Sequence, residues 1–399
     1  MFAAFFVILI DLIGFGIMVP IFAFYALNLG ASPAVATMLM ALYSIAMFFT
    51  APILGRISDF YGRRPVLMLS MLGATIGYLI LANASALWMV AAARFISGAM
   101  AGNIAAAQAY MTDVSGEKDR AKAMGLIGAA FGVGFILGPA LGSYLAGDDF
   151  DNANFVLPAY VSAALSFTAF LAVLFKLPES LSKADQKKLR AKPRVSRFKE
   201  MAEVLRRPIA NKIIFTGFLY SVAAGFFESV FPIWASYEGA RLVDGPQGLV
   251  PFMLVGGISL AVVQGSLVGP LTRRFGEHLL IKVGAVGYGG GLLMMTVMAD
   301  MQQLWLVYVF MGIASAASAL VMTSIQSLIS QRAASTERGM VMGVYNSMGT
   351  LGRSTGTILT GLVFTYIYIH ASFYASALLM VLLFIVAASV QRQWRVAAE

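Results

Sequence analysis

The 399-residue sequence has no cysteine, only two histidines (His278 and His370) and only 12% charged residues. Without thiols there are no disulfides, thiolate metal sites or cysteine nucleophiles, and the redox compartment leaves no mark on composition. The two histidines stand apart near loops with no nucleophile or metal constellation around them. No enzyme activity, cofactor or metal is therefore expected. So few charges beside 59% hydrophobic residues also exclude a soluble globular domain of this size, which would expose large apolar patches. What the sequence has in quantity is apolar run length. A spanning helix needs about 20 apolar residues. Twelve runs can be placed, approximately 2–27, 34–57, 65–83, 86–111, 120–146, 155–176, 209–237, 248–271, 278–299, 302–330, 339–367 and 371–391. The apolar start at Phe2 lacks a basic leader and a small-residue cleavage site, so it reads as the first span.

The net charge of +9 would suit nucleic acid, but the positions of the basic residues point elsewhere. Of 28 Lys and Arg, 25 fall on one set of alternate loops, the opposite set holds only Arg241, and Arg94 and Arg353 lie inside runs. That asymmetry is the positive-inside pattern and puts both termini and the central loop in the cytoplasm. The segment 177–208 is the one long polar interval, dividing the chain into halves at 1–176 and 209–399. It reads as a solvated linker in contact with anionic lipid heads, each basic residue contributing about 1 kcal/mol of attraction.

The halves echo each other. Gly55 and Gly62 return 214 residues later as Gly269 and Gly276; Arg120, Gly125, Gly134 and Gly138 return 218 residues later as Arg338, Gly343, Gly352 and Gly356. Two landmarks in near register predict a duplicated six-helix bundle, so the expected fold class is an all-α membrane protein of twelve transmembrane helices in two pseudo-symmetric bundles. Where the first copy has Asp59 and Arg63, the second has Arg273 and Glu277, an i,i+4 pair of reversed polarity.

Between the second and third runs lies Gly55-Arg56-Ile57-Ser58-Asp59-Phe60-Tyr61-Gly62-Arg63-Arg64-Pro65. Its glycines permit a sharp turn, and Asp59 is spaced to meet Arg63. By composition it is a basic juxtamembrane loop; by residue order it resembles the cytoplasmic signature of the major facilitator superfamily of secondary transporters. Asp113 and Arg120 occupy positions that, by that resemblance, form with Gly55, Asp59, Gly62 and Arg63 a charge latch steadying one conformation. The alternative is an ordinary exposed ion pair worth about 0–1 kcal/mol. Leu177-Pro178-Glu179-Ser180 resembles the exit from the sixth helix in that superfamily.

Ionisable groups inside spans are costly and by default functional. Asp11 stands among Ile10, Leu12, Ile13 and Phe15. Burial and a nearby cation act on such a carboxylate in opposite directions, which is how a site loads and releases protons near neutral pH; otherwise it is a structural carboxylate locked to an arginine or to backbone. Arg94 opens Arg94-x-x-x-Gly98-x-x-x-Gly102, whose glycines make a close-packing face. The same order resembles the superfamily's fourth-helix motif, where the arginine is associated with proton transfer, so Arg94 becomes the partner that tunes Asp11. Glu228, in the seventh run, is either a second protonatable or cation-attracting site or a snorkelling side chain. Arg353, near the middle of the eleventh, must meet a carboxylate, a substrate anion or a carbonyl array. Asn103, Gln108, Gln264, Gln326 and Asn346 can contact substrate or bridge helices.

Gly134-x-x-x-Gly138-Pro139-x-x-Gly142 in the fifth run resembles the superfamily's antiporter motif at the contact between bundles, with plain helix packing as the competing account. Together with Ile10 to Pro20, Tyr110 to Asp113, and Arg273 to Glu277, these residues resemble the drug:proton antiporter branch, specifically its tetracycline-exporter-like group. The likeness departs where those exporters carry ionisable groups in their eighth and ninth helices, since Leu254 to Leu267 and Val283 to Val297 contain none.

The resemblance implies a monomeric, proton-coupled exporter of amphiphilic small molecules or drugs in the bacterial inner membrane. It would contact lipids but not nucleic acid, and would work by alternating access through a cavity lined by the first, fourth, seventh and tenth helices. Its alternatives are an uncoupled or importing carrier of a metabolite, sugar or lipid, and a transport-dead receptor or scaffold using the central loop.

Overall fold

A computed structural model describes all residues except 1, 102, 116–119, 151, 184–185, 187–196, 238–239, 334–336 and 399. The described chain is helical: α1 (Phe2–Asn28), α2 (Pro33–Tyr61), α3 (Arg63–Ala82), α4 (Leu87–Met100), α5 (Asn103–Val114), α6 (Arg120–Ala146), α7 (Val156–Lys176), α8 (Arg197–Leu205) and α9 (Pro208–Ser236). Then follow α10 (Val250–Val262), a π-helical segment Val263–Leu267, α11 (Val268–Phe275), α12 (Glu277–Asp300), α13 (Leu304–Arg332), α14 (Arg338–Tyr366) and α15 (Ala371–Ala398).

Ten of the described helical stretches are long and apolar enough to cross a membrane, and they coincide with ten of the twelve expected runs. The other two differ in an instructive way. The fourth run, expected as one helix over 86–111, is broken into α4 and α5. The eleventh is a full 29-residue helix, α14, made less apolar by Arg353 and its serines, threonines and glycines. The eighth run crosses as α10, the π turn and α11. There Ser266 Oγ donates to the Val262 carbonyl, a local alternative to the regular ladder that accompanies the wider turn.

Contacts divide the chain into two compact units. The first comprises Met1–Ser32, Leu42–Arg194 and Asp244–Val250; the second comprises Pro33–Ala41, Val195–Val243 and Pro251–Glu399. These bounds differ from a simple cut at the linker, because the start of α2 groups with the second unit and a short segment after α9 with the first. In the first unit α1 packs on α6 and α7, and α3 on α4 and α7, around a core of Leu12, Val66, Met71, Tyr110 and Met111. In the second, α9 packs on α14 and α15, and α12 on α13 and α15. Its largest fully buried side chains include Trp234, Phe231, Phe252 and Phe373.

Lipid tails are as apolar as leucine, so helix association in a membrane relies on close backbone approach more than on apolar burial. Glycine positions accordingly set both units. In the first, a Cβ at Gly134 would lie 2.7 Å from Leu12 Cβ and one at Gly138 2.7 Å from Gly16 Cα, while Gly142 meets the backbone of Ile17. In the second, a Cβ at Gly352 would lie 2.9 Å from the Phe218 carbonyl, and Gly356 meets that of Val222. The two repeats thus build the same glycine-seated crossing, α1 with α6 and α9 with α14.

Candidate functional site: charged groups in each unit

The turn between α2 and α3 holds the densest charge cluster of the first unit. Gly62 has φ +110° and ψ 163°, a backbone region that is essentially glycine-only, and it separates the two helices. Arg63 follows it with only 10% of its side chain exposed. Its Nη1 donates to Asp59 Oδ1 at 2.6 Å and Ser58 Oγ at 2.9 Å; its Nε donates to Asp113 Oδ2 at 3.2 Å, which also accepts from Ser180 Oγ at 3.1 Å. An arginine this buried with two carboxylates is not an ordinary exposed ion pair. Gly55 lies in α2 one helical turn before Asp59. The side chain of Arg120 lies outside the described residues.

The sequence reading missed the residue that completes this cluster. Glu179 accepts the backbone N–H groups of Arg63 (2.8 Å) and Arg64 (3.1 Å) on its two oxygens, capping the start of α3. Two helix N–H groups left without partners are thereby satisfied by a group whose negative charge also suits the helix dipole. Arg64 Nη2 reaches the Leu174 carbonyl at 2.6 Å, tying α3 to the end of α7. The signal was present in the Leu-Pro-Glu-Ser exit, but a capping partner so far along the chain is visible only once α7 returns beside α3.

Asp11 is partly buried in α1 beside a small cavity of about 20 Å³ that Ile8, Leu12, Met71, Ala107, Ile127 and Phe131 also line. That is room for about one water next to a carboxylate with an otherwise apolar wall. Arg94 is 9% exposed. Its guanidinium lies 4.4 Å from the centroid of Phe22 and 4.6 Å from that of Tyr43, and among the described residues its Nε has no hydrogen-bond partner. Aromatic faces thus supply much of the electrostatic compensation for this buried cation. Gly98 explains how: its Cα faces the backbone of Tyr43, so α2 can come close enough to lay the Tyr43 ring over Arg94. Asp11 and Arg94 both act electrostatically on Tyr43 and Tyr78, which places the four groups in one neighbourhood of the first unit. Gly102 lies outside the described residues.

In the second unit the partner of Arg353 is a carboxylate. Arg353 Nη1 donates to Glu228 Oε2 at 2.5 Å, with 41% and 45% of the two side chains exposed. Glu228 therefore neither snorkels away nor stands alone. The glycine crossing makes the pair: Gly225 faces the backbone of Arg353, and Gly352 and Gly356 seat α14 on α9 on either side of it. Buried Tyr220 and Tyr288 lie within electrostatic reach of the pair, and the Tyr220 hydroxyl hydrogen-bonds Ser318 Oγ at 2.6 Å.

The expected reversed copy of the first turn is corrected. Glu277 does not pair with Arg273: its Oε1 accepts from Gln331 Nε2 at 2.6 Å and Ser327 Oγ at 3.0 Å, both on α13, while Arg273 is exposed. Gly276, at φ +74°, separates α11 from α12 just as Gly62 separates α2 from α3, but here neutral partners on α13 take the carboxylate and Arg273 is left exposed. Gln108, Gln264, Gln326 and Asn346 are exposed in their units, and Gln264 lies in the π turn. The side chain of Asn103 lies outside the described residues. Gly134, Gly138 and Gly142 pack against α1 within the first unit, and Pro139 contacts Gly16 there. His370 is 1% exposed and 3.4 Å from Asp300; burial, partly offset by Asp300, holds its pKa below the ordinary histidine value. It is a packed, neutral histidine.

The geometry agrees with what comparison finds. The tetracycline resistance protein of class E from Escherichia coli is 29% identical over 366 residues, covering 91% of this chain and 86% of that protein. Multidrug resistance protein 2 of Bacillus subtilis is 26% identical over 379 residues, covering 94% and 90%. Among solved structures, the human organic anion transporter MFSD10 (TETRAN) superposes with a TM-score of 0.69 at 21% identity over 96% of this chain and 98% of its own. The nucleoside transporter NupG gives 0.78 at 14% identity over 98% of each. Both share the fold. The Major Facilitator Superfamily profile matches residues 4–354 and 262–393. With its apolar spans, its repeated glycine crossing and a match across nearly its whole length, the chain is an integral membrane transporter, not an enzyme, and belongs to the Major Facilitator Superfamily.

Proposed function

We propose that this transporter is a proton-coupled exporter of amphiphilic small molecules, working by alternating access in a bacterial inner membrane with both termini cytoplasmic. One observation carries the coupling: Asp11 stands in a span with space for a water beside it and shares its electrostatic surroundings with the buried cation Arg94. A carboxylate whose charge a neighbouring cation supports and whose desolvation opposes it can exchange a proton for a change in its surroundings. The names of the relatives, resistance proteins for tetracycline and for multiple drugs, support outward transport. The cargo would be small and amphiphilic, without cofactor, and the protein a monomer among lipids. The Arg63 cluster would hold one conformation, its charges separating when the other forms.

The test is transport in proteoliposomes with and without an imposed pH gradient. The gradient should drive uptake by wild type, and Asp11→Asn should abolish gradient-driven transport while leaving a folded, monodisperse protein. Full gradient-driven transport by that variant would remove Asp11 from the role. Transport by wild type indifferent to the gradient would instead select an uncoupled or importing carrier.

A further inference from the structure

Deepening the reading of this chain as a carrier of small amphiphiles, and resting on it, we infer that the Glu228–Arg353 pair is a recognition site for zwitterionic cargo, which enters by replacing the pair's two partners one for one. The argument begins with exposure. From Leu219 to Ala235, α9 buries every residue except Ser221 and Glu228, seven apart and hence on one narrow stripe. Glu228 on that stripe and its partner Arg353 on α14 are both half exposed. A half-exposed ion pair inside a span does not face hydrocarbon, where its cost would be severe, so the open side of the pair meets water or cargo.

Buried Tyr220 and Tyr288 stand near the pair with ring centroids 6.2 Å apart, and Ser318 hydrogen-bonds the Tyr220 hydroxyl. Tyr288 is itself packed edge-on against Phe227. The glycine seats at Gly225, Gly352 and Gly356 fix the two backbones against each other. Among the described residues the guanidinium commits one of its five N–H donors, to Glu228, and the carboxylate accepts from that arginine alone. Both ends retain capacity for a second partner.

Charge conservation then selects the cargo. A monovalent anion on Arg353 leaves Glu228 unpaired, and a monovalent cation on Glu228 strands Arg353; removing one member of such a pair leaves an uncompensated charge. A cargo carrying a carboxylate and an ammonium a few ångströms apart satisfies both and strands neither. It gains the planar, bidentate geometry in which guanidinium binds carboxylate best.

The test is equilibrium binding to the purified full chain in detergent, without a pH gradient, so its outcome is independent of whether Asp11 couples protons. The probes share one aryl-alkyl body and carry both charges (an aromatic amino acid with an extended side chain), the carboxylate alone, the ammonium alone, or a neutral amide. Wild type should prefer the zwitterion by about tenfold or more, the scale set by one hydrogen bond to a charged group. Glu228→Gln should shift first place to the carboxylate and Arg353→Gln to the ammonium. The double variant E228Q/R353Q, which removes both charges and strands neither, should fold and bind all four alike. A wild type that ranks either single-charged probe at or above the zwitterion, or shows no binding of the zwitterion at millimolar concentration, overturns the inference. So do variants that keep the wild-type ranking.

Discussion

The two unit turns, one centred on Gly62 and the other on Gly276, share a repeated pair of glycines yet do different things. Both use a glycine at positive φ to separate consecutive helices. At Gly62 the space beside the glycine is filled by the Glu179 carboxylate, and the following arginine is buried among Asp59, Asp113 and Ser58. At Gly276, among the described residues, nothing lies within 4 Å of where a Cβ would stand, Arg273 is exposed, and Glu277 is held by neutral partners on α13. A shared backbone turn therefore carries a buried ionic cluster in one repeat and an ordinary polar anchor in the other. The second unit places its exposed ionic tie elsewhere, between Arg207 and Glu337 at 2.6 Å, where a bidentate guanidinium ties the start of α9 to that of α14.

The sharpest separation should come from the arginines. Arg63→Ala strands two carboxylates at a site where it is 10% exposed and should cost about 3 kcal/mol by denaturant titration in micelles. Arg273→Ala should change stability by less than about 0.5 kcal/mol. Next come the glycines. Alanine at either position incurs about 1–3 kcal/mol of backbone strain, but at Gly62 it also displaces Glu179 and so adds about 1 kcal/mol for the lost cap; equal losses at the two sites would contradict the asymmetry. Smaller again, Glu179→Ala should cost about 1–2 kcal/mol and Glu277→Ala about 1 kcal/mol.

The least effect belongs to the exposed pair in the second unit. Arg207 holds the Glu337 carboxyl below the usual carboxylate range, so the stability it lends is fully present above the ordinary glutamate pKa and fades as pH falls below it. Glu337→Gln should remove a small acid-side slope from the thermal midpoint and should matter less at high salt, where exposed pairs are screened. The Arg63 cluster, being buried, should keep its contribution in the same salt series.

Much of this was legible in residue order because the bilayer imposes length and polarity so strictly: ten of the described stretches fall where apolar runs placed them, and the second-unit crossing was foreshadowed by the repeat of Gly134 and Gly138 as Gly352 and Gly356. The Asp59–Arg63 pairing was also legible, since the turn is short and the spacing local. The break of the fourth run into two helices was not, because Gly98 and Gly102 read there as a close-packing face of one continuous span. Nor was the failure of the Arg273–Glu277 pair, since the same spacing joins Asp59 to Arg63 across Gly62, and only the placement of Gln331 and Ser327 on α13 gives Glu277 other partners.

By itself the sequence determined that this chain lives in a bilayer, which residues carry charge there, and that it is built twice, because hydrophobic length, scarce charges and glycine spacing are properties of the linear chain. Which distant charges meet was decided by tertiary structure alone. Glu179 reaches the start of α3 across 116 residues and Glu228 reaches Arg353 across 125, while Arg94 takes aromatic rings as its neighbours. Such pairings depend on how closely two helix backbones can approach, and that distance is set by glycines on one helix and side chains on another.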